Sequence, residues 1–275
     1  MDRKVLSRFF ANRRIPTDAI GFYNSPQFLE AEGRDRSVLD FYAAWVRARP
    51  RDPGYDKMAR EVVPAVAGFV AREVVTDGQL GACVDASMML TKMLEEQGIW
   101  CYALRGALTI TSPELDDPTY FWVLDEKQNP GHVWVAAPPF EIVDVSLRAQ
   151  PYERHEAALV PEVLCVERGE RITGTVDEYC SPQVLADAVA RNGHLPPDAH
   201  LQLVPEMARV VASFPSIEVG SGATRLRYNV SGIAVSSAPD LDAIKSRRWN
   251  GRLAGDLYRD VVLPGLRNAT TLAGS

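Results

Sequence analysis

The hydrophobic period of the chain changes at Gly98, and no other feature constrains the fold as strongly. Before it, residues 83–97 (CVDASMMLTKMLEEQ) carry an apolar stripe at helical spacing, and the glycine ends the predicted helix. After it, alternating segments predict four short strands, over residues 100–110, 119–125, 132–137 and 140–146. A helix followed by adjacent strands predicts an α+β fold with N-terminal helices packed on an antiparallel sheet, and it disfavours a wound parallel sheet.

The flanks of this region carry weaker signals. Helices are predicted over residues 38–48 and 55–75, the second kinked at Pro64, whereas residues 1–37 are mixed and polar and are expected to be loosely ordered. A turn is predicted over residues 126–131. Later elements are a strand at 163–168, helices at 182–193 and 204–214, a strand at 225–235 and a last helix at 249–266.

Three segments follow from this pattern. Residues 1–76 form an N-terminal helical segment, and residues 77–150 form the core that carries the strands. Residues 151–275 form a C-terminal α/β extension, which either completes the same domain or makes a small second one.

Composition excludes several classes of protein. The 275 residues are 46% hydrophobic, which suits a sizeable core, and the net charge of −6 disfavours nucleic acid as a partner. No run approaches the roughly 18 apolar residues of a membrane span, and the opening residues lack the apolar region of a signal peptide, so no membrane partner and a cytoplasmic location are expected. The four cysteines lack CxxC spacing, and neither a metal nor an organic cofactor is expected.

The stretch GHVWVAAPPFEIVDVS, residues 131–146, places a histidine and an aspartate on neighbouring strands. If the turn centres on Pro138, His132 lies opposite Asp144 and Trp134 opposite Ile142, and all four side chains share one face. An aspartate beside a histidine fixes its tautomer and stabilises the imidazolium. The hairpin therefore predicts a general base with its orienting group, which lacks only a nucleophile.

Cys83 is the candidate nucleophile. It follows a glycine-containing loop and stands at the start of the predicted helix, where free N–H groups and the helix dipole favour a thiolate and can bind an oxyanion. A nearby imidazole completes a thiolate–imidazolium pair. We therefore expect the hairpin face to meet the beginning of this helix.

Three pieces of the chain resemble the transglutaminase-like superfamily: GACVDASMMLTKMLEEQGIWCYALRG, GHVWV and FEIVDVS, spread over roughly residues 77–146, about a quarter of the chain. The resemblance implies a papain-like triad of Cys83 as nucleophile, His132 as base and acid, and Asp144 as orienter. It implies acyl transfer or hydrolysis but does not identify the substrate, which we expect to be a peptide, a protein, or a small amide or thioester. The family's animal crosslinking enzymes carry Gln directly before Cys; here Ala82 stands there, and Gln79, four residues before Cys83, is the implied second oxyanion donor.

Several alternatives stay open at this stage. Water as acceptor gives a protease or deamidase, an amine gives crosslinking or amide synthesis, and an acyltransferase resembling arylamine N-acetyltransferases uses the same triad with a thioester donor. A non-catalytic module of the same fold would carry an unreactive thiol. Trp134 either walls the substrate site or belongs to the core, Cys101 is expected in the core, and His200 is expected at the surface.

Overall fold

The computed structural model describes residues 1–126, 131–153, 155–236 and 238–273. The α-helices in this part are α1 (Arg3–Asn12), α2 (Pro26–Arg34), α3 (Val38–Ala48), α4 (Pro53–Asp77), α5 (Cys83–Glu96), α6 (Glu156–Leu159), α7 (Val176–Tyr179), α8 (Pro182–Asn192), α9 (Ala199–Leu203), α10 (Pro205–Ser213), α11 (Ala254–Leu257) and α12 (Leu263–Ala273). The strands are β1 (Tyr102–Thr111), β2 (Thr119–Phe121), β3 (His132–Ala137), β4 (Phe140–Asp144), β5 (Leu164–Val166), β6 (Glu170–Ile172), β7 (Ser216–Ser221) and β8 (Thr224–Ala234).

These strands form one sheet in the order β5-β4-β3-β1-β8-β7-β6, and β2 pairs with the second half of β1. Each ladder between them is antiparallel. The predicted α+β class with an antiparallel sheet is therefore confirmed. Because β8 lies beside β1 at the centre, strands from residues 151–275 complete the same sheet as those from residues 77–150.

The sheet is buried on both sides, as the alternation of β3 requires. Val133 and Val135 pack in a cluster with apolar residues of α4 and α5, whereas Trp134 packs in a cluster with residues of α1, α2, α3 and α10. Burying one such side chain stabilises the fold by roughly 1.5–3 kcal/mol, which offsets the entropy of ordering the chain. Because alternate side chains of β3 are buried on opposite sides of the sheet, this packing fixes the side to which His132 points.

The register of the β3–β4 hairpin differs from the prediction. Val135 pairs with Val143, not with Glu141, and Ala137 pairs with Phe140 across a two-residue connection, with an irregularity between the two pairs. The Pro138-centred register was therefore wrong by two residues. The grouping of side chains by face was nevertheless right, because a shift of two residues preserves the alternation of a strand.

The N-terminal region was also mispredicted. Residues 1–37 contain α1 and α2, whose first turns are capped by the side chains of Asp2 and Ser25. Phe10 and Phe28 anchor the two helices in the core. Short helices with one or two buried aromatic residues give too little periodicity to be recognised.

Other elements differ in extent. α4 is one helix that contains Pro64, and the last helical region begins at Ala254 with a π-helical turn over Tyr258–Val262. The predicted strand at 119–125 shortens to β2, while β6 and β7 were not predicted. Of the predicted turn at 126–131, residues 127–130 lie outside the described residues. His200 is buried, stacked on Tyr179, and not at the surface. Among the helices described, none has the length and apolar content to cross a bilayer.

Candidate active site

The loop between α4 and α5 places the first turn of α5 beside the end of the hairpin. Gly78 and Gly81 adopt left-handed φ values of 70° and 71°, which a glycine reaches without strain. The Gly81 N–H donates to the Ala149 carbonyl at 2.8 Å, tying the loop to the segment after β4. The residue before the helix, Ala82, has no side-chain acceptor, so the first-turn N–H groups lack a side-chain cap from this position.

Cys83 is the first residue of α5 and reaches β3 through the stripe that it shares with Ser87. Residues four apart lie on the same face of a helix. The Ser87 hydroxyl donates to the Val133 carbonyl at 2.9 Å, next in sequence to His132. One turn earlier, Cys83 lies close enough to His132 to interact with its ring. The helix start therefore contacts His132, but α5 packs on the opposite face of the hairpin, the one that carries Val133 and Val135, and not on the predicted face with Trp134 and Ile142.

His132 and Asp144 form a buried ion pair. The distance from His132 Nε2 to Asp144 Oδ2 is 2.6 Å, and both side chains are fully buried. Oδ2 also accepts from the Tyr228 hydroxyl at 2.9 Å, while Oδ1 accepts from the Ser146 N–H at 3.0 Å and the Ser146 hydroxyl at 3.2 Å. Four donors therefore surround a carboxylate that water cannot reach.

These contacts set the charge of the pair. Burial alone lowers the pKa of His132, but attraction to Asp144, their hydrogen bond and the neighbouring Cys83 raise it to about 10. Burial opposes the ionisation of Asp144, yet His132, Ser146 and Tyr228 hold the pKa of its carboxyl below the ordinary value. At neutral pH the pair is an imidazolium and a carboxylate.

The other ring nitrogen, Nδ1, is free of the ion pair. His132 Nδ1 has no hydrogen bond of regular geometry within the described part of the chain. Since Asp144 occupies Nε2, interaction with Cys83 is left to the Nδ1 side of the ring. An imidazole held in this way keeps the Nε2–H tautomer when neutral, so its Nδ1 lone pair can accept a proton.

The site is closed to solvent. Cys83 is 3% exposed and belongs to a buried cluster that includes Leu241 and Ile244, from the segment after β8. That segment is attached to the first turn of α5, because Asp85 accepts from the Ser246 hydroxyl at 2.8 Å and lies 3.4 Å from Arg247. An attacking thiol would need this cover to open.

The two predicted substrate-binding residues lie in different surroundings. Gln79 is exposed in the loop before Cys83 and has no hydrogen-bond partner in the described ranges. Trp134 is buried, with its ring centroid 6.2 Å from that of His132 and 5.0 Å from that of Tyr228. Trp134 also lines a cavity of about 510 Å³. Its ring therefore separates the ion pair from this cavity.

Sequence reasoning missed Tyr228 and Ser146. The alternation over residues 225–235 could place Tyr228 on one face with Leu226 and Val230. No signal in the neighbouring sequence shows that β8 pairs with β1, which brings Tyr228 to the site. Ser146 carried a detectable signal, since an aspartate followed two residues later by a serine is typical of a side chain that bonds the backbone ahead of it.

No protein-family model, no curated protein and no solved structure matches this chain. Among the described residues, no three histidine, cysteine, aspartate or glutamate side chains are grouped so as to hold a metal ion.

Replacing Tyr228 by Phe tests the carboxylate's surroundings without touching Cys83 or His132. The variant removes one donor from a buried carboxylate, so the pKa of Asp144 should rise. A carboxyl whose pKa is lower in the folded than in the unfolded protein stabilises the fold at pH values above its unfolded pKa, near 3.9. This stabilisation is lost as the pH falls through the folded pKa. We expect Tyr228→Phe to lower the free energy of unfolding by roughly 1–3 kcal/mol. Acid unfolding of the variant should begin at a higher pH than that of the wild type, as measured by thermal melts from pH 7 to pH 3.

Tyr179→Phe is the matched control. Tyr179 is equally buried, and its hydroxyl donates to the Val230 carbonyl at 3.1 Å, not to a carboxylate. It should lose comparable stability at pH 7 with no shift of the acid transition. Equal acid shifts in the two variants would show that Tyr228 does not tune Asp144.

Proposed function

We propose that this protein is a cysteine-dependent enzyme that transfers or hydrolyses acyl groups, with a transglutaminase-like, papain-like core. Its substrates are amides or thioesters carried by a peptide, a protein or a small molecule, in the cytoplasm. The observation that carries the proposal is the buried 2.6 Å ion pair of His132 with Asp144, together with the contact of the same imidazole with Cys83. A thiol, an imidazole and a carboxylate in this order are the parts of a nucleophile, a base and an orienter.

The reaction follows from the charges of the site. The Cys83 sulfur attacks the carbonyl carbon, forming a C–S bond while the carbonyl electron pair moves to oxygen. The C–N or C–S bond to the leaving group then breaks as the His132 imidazolium donates its proton to the leaving atom. Water or an amine attacks the resulting thioester, gives its proton to His132, and releases Cys83. The scheme uses no metal or organic cofactor.

The start of α5 supplies the developing oxyanion with donors. The N–H groups of a first helical turn have no intrahelical partner, and the N-cap residue Ala82 does not cap them. A helix N-terminus also favours negative charge. Because the thiol lies on the same turn, the attacked carbonyl would be held beside these groups.

A second candidate function is favoured by the burial of Cys83. A thiol that is 3% exposed within an apolar cluster is also typical of a structural cysteine, so a non-catalytic binding module with this fold is the competing function. The two candidates differ in the reactivity of the thiol.

Competitive alkylation separates them. We expect substoichiometric iodoacetamide at pH 7, followed by peptide mapping, to label Cys83 first. Cys165 is the more exposed thiol, but burial and Asp144 raise its pKa to about 12. Burial also raises the pKa of Cys180, to about 11, and that of Cys101 well above the ordinary value. A thiol that stays protonated at pH 7 reacts slowly even when it is exposed, because the thiolate is the reactive form.

His132→Ala completes the test, because it removes the cation that would stabilise a Cys83 thiolate. Labelling at position 83 should slow in this variant, while labelling at Cys165 should not change. Preferential labelling of Cys165 in the wild type, or equal rates at position 83 in both proteins, would favour the binding module.

A further inference from the structure

The 510 Å³ cavity beside the ion pair has the size of a small-molecule site. It is lined by inward-facing residues of β1, β3, β7 and β8 and by the residues that follow α10 and the β3–β4 connection. Trp134 and Tyr228 separate it from His132 and Asp144. Nothing in the proposed reaction uses this space.

The floor of the cavity is apolar and aromatic. Its rings and aliphatic side chains are Tyr102, Leu104, Trp134, Phe214, Tyr228 and Val230. The ring of Tyr102 meets that of Phe214 edge to face, with centroids 5.9 Å apart. Such a floor favours a flat or aliphatic body that excludes water.

The rim is positively charged, in contrast to the chain as a whole. Five arginines and two glutamates line it, Arg47, Arg51, Arg60, Arg168, Arg171, Glu141 and Glu167, whereas the whole chain has a net charge of −6. Arginine clusters of this kind attract and orient carboxylate and phosphate groups.

Two of these arginines have no carboxylate partner within the described residues. Arg60 pairs with Glu167, Arg171 with Glu141, and Arg51 with Asp56, which lies beyond the rim. Arg47 donates only to the Ser213 carbonyl, with its guanidinium 4.9 Å from the centre of the Phe214 ring. Arg168 is exposed and makes neither a hydrogen bond nor an ion pair in the described part of the chain.

Tyr102 supplies an independent observation. It is 4% exposed and lines the cavity, yet its hydroxyl has no hydrogen-bond partner among the described residues. Burial raises its pKa, so it stays a donor. Its charged neighbours are Arg47, Glu141 and Arg171, and the last two pair with each other. The Tyr102 oxygen is not among the fully enclosed side-chain atoms that lack a partner, so the hydroxyl opens onto the cavity. A group bound there can accept its hydrogen bond.

We propose that this cavity binds a small amphipathic anion, with an aromatic or short aliphatic body on the Trp134–Phe214 floor. A carboxylate or phosphate group on that body is held by Arg47, Arg168 and the Tyr102 hydroxyl. This site is distinct from the nucleophile and does not depend on the proposed acyl chemistry.

Calorimetric titration of the full chain with three matched probes tests the site. The probes are 3-phenylpropanoate, phenyl phosphate and the neutral 3-phenylpropanamide. We expect at least one anion to bind about tenfold or more tightly than the amide, because hydrogen bonds to a charged group are stronger than those to a neutral one. The tighter of the two anions identifies the acidic group that the rim prefers.

Variants locate the binding and separate it from catalysis. Arg47→Ala, Arg168→Ala and Tyr102→Phe should each weaken anion binding by about 3–10-fold, while Arg8→Ala, an exposed arginine on α1, should leave it unchanged. Cys83→Ala should bind as the wild type does, which keeps this result apart from the fate of the acyl-transfer proposal. Equal affinity for the amide and both anions, absence of binding at millimolar concentration, or equal weakening by Arg8→Ala would overturn the proposal.

Discussion

Cys83→Ala should abolish acyl transfer and leave the fold intact. Removing the nucleophile of a hydrolase lowers turnover by about 10⁶-fold, and we expect a loss of about 10⁴–10⁶-fold here. The measurement is cleavage of p-nitrophenyl acetate and of a small acetyl thioester, each with and without a primary amine. Because only a buried sulfur is lost, the free energy of unfolding should fall by only about 1–2 kcal/mol.

Cys101→Ala is the control for this variant. Cys101 is fully buried, and its thiol donates to the Thr91 carbonyl at 3.5 Å, so its loss removes the same atoms from a similar environment. We expect a comparable loss of stability with full activity. A Cys83→Ala protein that unfolds, or one that keeps the activity of the wild type, would make the cysteine structural.

Local periodicity was sufficient to predict the elements that carry the candidate site. The stripe of residues 83–97 predicted α5 to within one residue, and the alternation of residues 132–137 predicted β3 with its ends. The helix signal comes from residues three or four positions apart, and the strand signal comes from residues two positions apart. The placement of Cys83 at a helix start and of His132 at a strand start followed from them.

Contacts between distant segments could not be predicted in the same way. The Tyr228 hydroxyl reaches Asp144 across 84 residues, and only the pairing of β8 with β1 brings it there. The register of β3 with β4 depends on an irregularity between Val135 and Ala137 that the sequence does not mark. The pair of His132 with Asp144 was nevertheless predicted, because membership of a face survives a two-residue shift.

Asp144→Asn should reduce activity by roughly 10–10³-fold. The corresponding change in a serine-protease triad costs about 10⁴ in turnover, and a thiol depends less on its base than a hydroxyl does. The surroundings of Asp144 give the reason for the loss. An asparagine oxygen can keep both hydrogen bonds from Ser146, which turns the amide NH₂ toward His132 Nε2. The ring must then carry its proton on Nδ1, where the base should have a lone pair for Cys83.

The variant should also change the titration of His132. With the carboxylate gone, burial is left to dominate, so the pKa of the imidazole should fall from about 10 to below its ordinary value near 6.5. NMR of the four histidines between pH 5 and pH 10 would show this directly. Asp117→Asn, a charge loss on an exposed loop, is the control and should change neither activity nor titration. An imidazolium that persists at pH 8 in Asp144→Asn would mean that Asp144 does not hold the charge.

The raised pKa of His132 should also make the free energy of unfolding of the wild type depend on pH. Because the folded pKa of His132 lies above the unfolded one, folding takes up a proton, and the resulting stabilisation is complete below about pH 6.5 and is lost as pH rises through about 10. Between these values the free energy of unfolding should fall by up to about 1.4 kcal/mol per pH unit. Asp144→Asn should lack this slope, since above about pH 6.5 its imidazole is neutral in both the folded and the unfolded state. Its loss of stability should therefore be largest at pH 6 and smallest near pH 10, whereas a merely misfolded variant would be destabilised equally at both.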